Sequence, residues 1–109
     1  MPSTKHVTVT VEAGGAVVCT PQTVNVSSAN VLIVFHLETA GYAFPASDAV
    51  VVSNPGSQFP YPSWTAYPGY AALFDFDNDT AEYSYTVNVI ELSTGRTLSV
   101  DPVIKNGGH

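Results

Sequence analysis

The chain has little charge, little sulfur and no long apolar run. Of its 109 residues, 11% are Asp, Glu, Lys or Arg, against roughly 25% in an ordinary soluble domain. Only three are Lys or Arg, Lys5, Arg96 and Lys105, while nine are acidic, for a net charge of −6. So few cations exclude a phosphate-neutralising surface, and with it nucleic-acid binding and adhesion to an anionic membrane. The single cysteine, Cys19, excludes an internal disulfide. It reads as a small apolar strand residue; a reactive thiol would need an electropositive setting that no neighbour in sequence supplies. No stretch approaches the length of a membrane-spanning helix. The N-terminus runs directly into alternation without a long apolar segment, so no signal peptide is expected and the location expected is cytoplasmic.

What is abundant is strand-forming: 16 Val and 11 Thr in a composition that is 45% apolar. "KHVTVTVE" (5–12) alternates Val7, Val9 and Val11 with Thr8 and Thr10. "AVVCT" (16–20) and "QTVNVS" (22–27) read as strands separated at Pro21, which marks an edge or a kink. "NVLIVFHLE" (30–38) is almost wholly apolar and is the best candidate for a central strand. "AVVVS" (49–53) and "AALFDFD" (71–77) follow. "AEYSYTVNVIEL" (81–92) and "RTLSVDPVI" (96–104) form a hairpin turned at Ser93-Thr94-Gly95, where Gly95 supplies a positive φ. A helical period is absent, and so is any repeat. The expectation is one all-β domain over residues 1–109, an antiparallel, immunoglobulin-like β-sandwich of seven or eight strands.

Four features carry chemistry. Asp75, Asp77 and Asp79 alternate in "FDFDNDT" (74–80) and share a face if the strand runs on. They open like a calcium loop, but Thr80 and Thr86 stand where an EF-hand needs Gly and Glu. An irregular calcium site, a solvated acidic strand end and a carboxyl of raised pKa serving chemistry elsewhere all fit. His36, between Phe35 and Leu37, reads as a packed sheet residue, with no second His or Cys at ligand spacing; His6 and His109 near the termini carry no assignment. The stretch 54–70, with Phe59, Tyr61, Trp64, Tyr67 and Tyr70, is the one long irregular segment. Its rings form either a binding platform or a cover folded over one end of the sandwich. Motifs of serine hydrolases and phosphate-binding loops are missing. No cofactor and no metal are expected.

The fourth feature is Asp101-Pro102, set inside the last strand. An aspartyl carboxyl can attack its own backbone carbonyl and close a five-membered anhydride. Proline favours the step because its nitrogen belongs to a tertiary amide, and because it confines the preceding residue to extended conformations. Water activated by a second carboxylate is the alternative route. Pairing Ser93 with Arg96 sets Asn88 opposite Asp101, where its amide reaches a carbonyl oxygen. Asp77 and Asp79 are the candidate assisting acids, with Glu91 in reserve.

The segment "YSYTVNVIELSTGRTLSVDPVIKNGGH" (83–109) within a short all-β chain resembles the DP-EP family, small bacterial proteins named for such a dipeptide near the end. The resemblance implies an aspartic-type endopeptidase that cleaves its own Asp101–Pro102 bond and keeps the C-terminal strand, 102–109, bound. Asp101 then becomes a new C-terminus, Pro102 a new N-terminus, and another aspartate activates water. In that family a lysine can capture the cleaved aspartate. Here the strand 81–92 contains no lysine, and Tyr83 falls near its place; a tyrosine hydroxyl, with a pKa of about 10, is a poorer acyl acceptor. The alternative function is a non-enzymatic binding or self-assembly module using the aromatic loop 59–70. The expected partners are accordingly the chain's own C-terminal segment and, in a homo-oligomer, further copies of the chain.

Overall fold

The computed structural model describes residues 3–27, 30–56, 58–67, 69–77 and 80–107. Alternation builds two sheets around one core. The first contains β1 (Ser3–Val11), β2 (Val17–Thr20), β4 (Val31–Leu37), β7 (Trp64–Tyr67) and β8 (Tyr70–Asp75), in the order β2-β1-β4-β8-β7. The second is organised on the long β9 (Glu82–Glu91). Along one side of β9 run β10 (Thr97–Val100) and β11 (Val103–Asn106), with β3 (Thr23–Val26) beyond β11; β5 (Tyr42–Ala43) and β6 (Val50–Val52) also pair with β9. Val7, Val9, Ile33, Phe35 and Leu73 from the first sheet meet Val24, Tyr85, Val87 and Ile104 from the second in one buried cluster. The Phe35 and Tyr85 rings, 5.7 Å apart, link the two layers. The architecture is all-β and sandwich-like, with no helix among the described residues.

The apolar segment 31–37 is central, as its composition implies. Phe35 and Ile33 face the core, while Leu32, Val34 and His36 lie on the outer face, half-buried. Pro21, after a cis Thr20–Pro21 bond, stands where the chain leaves β2 in the first sheet and enters β3 in the second. Two expectations change. The sheets are mixed rather than antiparallel: β1 pairs with β4, and β11 with β3, in parallel. The cause is connectivity, because the chain visits the second sheet as β3 before it returns as β4. The strands number eleven among the described residues. The added ones are β5 and β7, which lack a periodic apolar pattern, and the break of the last strand at Asp101-Pro102.

Candidate functional site

The last strand passes through Asp101-Pro102 without changing register. Val100 lies opposite Val87, and Val103 opposite Ser84. Asp101 and Pro102 therefore face Thr86 and Tyr85, with no bulge between. Inward residues run Leu98, Val100, Pro102, Ile104 and Asn106, and Ser99, Asp101 and Lys105 face solvent. Pro102 fits because it supplies a buried apolar side chain in phase with its neighbours. Its missing N–H removes one ladder bond, but its carbonyl accepts from the Tyr85 N–H at 3.1 Å. A cavity of about 140 Å³ beside it is lined by Val17, Val18, Cys19, Gln22 and Val100. Burial pushes the Cys19 thiol up to about 11 and raises the Tyr85 hydroxyl further.

Asp101 is exposed, and its Oδ1 accepts a hydrogen bond from the Thr86 hydroxyl at 2.7 Å. That neighbour differs from the expected one. The turn is four residues long, Leu92–Gly95: Gly95 donates to the Glu91 carbonyl at 2.7 Å, and Glu91 donates to the Arg96 carbonyl at 2.8 Å. This register is two residues from the simplest hairpin, so Asn88 faces Ser99 instead. Asn88 stays on the outer face, where its Oδ1 accepts from Ser99 Oγ at 2.6 Å and its Nδ2 donates to the Asp48 carbonyl at 2.8 Å. Glu91, the reserve acid, accepts from Thr94 Oγ1 and lies 3.6 Å from Arg96.

Among the described residues, the candidate acids do not converge on the bond. β8 ends at Asp75, and Asp77 adopts a positive φ of 54°. Both are fully buried, so neither belongs to a solvated acidic end. Asp75 Oδ1 accepts from the Asp77 N–H at 2.9 Å and from Asn106 Nδ2 at 3.2 Å. This cluster lies on the inner face, near the far end of β11. Asn106 is four residues past Pro102, about 13 Å along a strand. Asp79 lies outside the described residues. Tyr83, opposite Ile104, also turns inward, with its ring edge-on to Phe59 at 5.0 Å. Of the six residues chosen from sequence, Asp101 and Asn88 share the outer face, Pro102, Asp77 and Tyr83 turn inward, and Asp79 lies outside the described residues. Among the described residues, no three His, Cys, Asp or Glu side chains gather as a metal centre.

The aromatic stretch divides between the two alternatives. Phe59 is buried, whereas Tyr61, Trp64 and Tyr70 are 59%, 44% and 44% exposed. Trp64 and Tyr70, with Leu32, Val34, Ala66 and Ala72, line a shallow apolar groove of about 410 Å³ on the outer face of the first sheet. Two residues that sequence reasoning set aside also meet on this face. His6 Nδ1 and His36 Nε2 are 3.0 Å apart, and the His36 ring stands edge-on to Tyr70 at 4.9 Å. Their separation of 30 positions carries no ligand signal; only the parallel pairing of β1 with β4 reveals it. Comparison with known protein families and with curated proteins finds no match for this chain.

Proposed function

We propose that the chain is a self-processing protein whose substrate is its own Asp101–Pro102 bond, in keeping with its resemblance to the DP-EP family. The observation that carries this reading is the contact of Thr86 with Asp101. A solvent-exposed carboxylate beside an X–Pro bond is held through one oxygen by a hydroxyl on the neighbouring strand, at 2.7 Å. Asp75 and Asp77 lie on the other face, and the reaction is assigned to Asp101's own carboxyl. Its second oxygen attacks the Asp101 carbonyl carbon and closes a five-membered anhydride. The C–N bond breaks, and the Pro102 nitrogen takes a proton from solvent and leaves as a secondary amine. Water then opens the anhydride to two carboxyl groups, so one water is consumed per bond cleaved. Holding nucleophile and carbonyl within one residue supplies the proximity term.

Retention of the product follows from packing. Residues 103–106 pair with β9 on one side and β3 on the other. Ile104 is fully buried, and Asn106 is bonded to Asp75. The test compares purified wild type with Asp101→Asn over days at mildly acidic and neutral pH, analysed after denaturation. Wild type should yield two pieces and Asp101→Asn one; equal accumulation of fragments in both refutes the reading.

A second reading rests on a separate observation. The outer groove with Trp64 and Tyr70 is apolar and exposed, which suits self-assembly through a second copy of the chain. Light scattering should then show mass rising with concentration, and Trp64→Ala should abolish the rise. A concentration-independent monomer mass removes this reading and leaves the first untouched.

A further inference from the structure

We propose that His6 and His36 form a two-nitrogen chelate for a divalent late first-row transition-metal ion, Cu²⁺ above the others. This site is independent of the chemistry at Asp101. β1 and β4 run in parallel with His6 opposite Val34 and Thr8 opposite His36. The two rings lie on one face of the sheet and reach diagonally toward each other. Their facing nitrogens are 3.0 Å apart, their centroids 5.2 Å, and their planes differ by 35°. Tyr70 stands edge-on to the His36 ring at 4.9 Å. His6 is exposed and His36 half-buried, so water reaches the remaining coordination positions.

The spacing accommodates a common ion. Two nitrogens 3.0 Å apart, each about 2.05 Å from a common metal, subtend about 94° at it. That is close to the right angle between neighbouring ligands in a tetragonal Cu²⁺ or Ni²⁺ site, and below the tetrahedral angle Zn²⁺ prefers. Imidazole suits these ions, and Cu²⁺ stands highest in the affinity order. Without metal, one ring carries the proton between the two nitrogens. On binding, that proton is exchanged through solvent to the outer nitrogen of the same ring, and the two rings turn so that the lone pairs, which face each other in the free pair, point at the common ion. Two strands of one sheet hold the ligands together, and the second nitrogen binds as an intramolecular event.

The experiment titrates the full chain with CuCl₂, followed by calorimetry and by electron paramagnetic resonance. The chains are wild type, His6→Ala, His36→Ala, His36→Gln and His109→Ala, each checked for folding by circular dichroism. Wild type should bind one ion with two nitrogen couplings. Each change at His6 or His36 should leave one nitrogen and weaken binding about a hundredfold, while His109→Ala, which alters the chain's third histidine, should change neither readout. Wild type in urea should lose the two-nitrogen signal, because the site needs the paired strands. Equal affinity in wild type and His6→Ala, loss of binding in His109→Ala, or an unchanged signal in urea would overturn the proposal.

Discussion

Ile104→Ala tests how firmly the C-terminal strand is held. Ile104 is 0% exposed and belongs to the central cluster, in a strand paired on both sides. Truncation deletes three carbon groups, worth about 2–3 kcal/mol of transfer free energy at roughly 0.8 kcal/mol each. The cavity left between the sheets adds to this, for a total cost of about 3–4 kcal/mol. Against a typical domain stability of about 5–15 kcal/mol, that is a large fraction. Urea unfolding should show the midpoint falling with the slope unchanged, the signature of lost stability in an unaltered fold. Lys105→Ala, one residue on, is the control. Lys105 is exposed and its Nζ lies 3.8 Å from Glu82 Oε1, so its loss should stay within about 0.5 kcal/mol. A cost below about 1 kcal/mol for Ile104→Ala would show that this strand is not docked in the core. The retention argued for residues 102–109 would fall with it.

Two further outcomes follow from groups around the bond. Thr86→Val removes the hydroxyl that holds Asp101 Oδ1; self-cleavage should slow roughly tenfold, and Thr86→Ser should restore it. A rate unchanged in Thr86→Val, measured by fragment yield against time, would show that Thr86 does not position the carboxyl. Burial raises Cys19 from 9.0 to about 11, so between these values the unfolded thiol ionises while the folded one keeps its proton. Its contribution to stability is complete below pH 9 and is lost as pH rises toward 11. Urea midpoints should decline over that range, less steeply in Cys19→Ala, and an identical slope in the two chains would contradict the burial of the thiol.

The legible part of this fold was its alternation. Val7, Val9 and Val11 announced β1, the apolar run 31–37 announced a central strand, and Gly95 with φ 75° closes the last hairpin. Period two fixes which face a residue takes, so Asp101 was readable as a strand residue from its neighbours. Pairing partners were not, because they depend on turn length and on the order in which the chain visits the two sheets. A four-residue turn in place of a tighter one moved Asp101 from Asn88 to Thr86. Period two sets Asp75 inward in phase with Leu73, but β8 ends there, and Asp77 reaches the same buried side through a positive φ rather than as the next residue of a strand row. The His6–His36 contact depends on a parallel pair separated by two other strands in sequence. No local pattern encodes it.

Self-cleavage at one bond is tested most directly by the mass and N-terminal residue of what a denatured sample releases. The account predicts a small fragment that begins at Pro102 and ends at His109, with the larger piece ending at Asp101. Both should be absent from Asp101→Asn and from wild type kept unfolded throughout the incubation, and in folded wild type the fragment should remain with the fold until denaturant is added. A chain that keeps its full mass through prolonged incubation, or that breaks at another bond, contradicts the account.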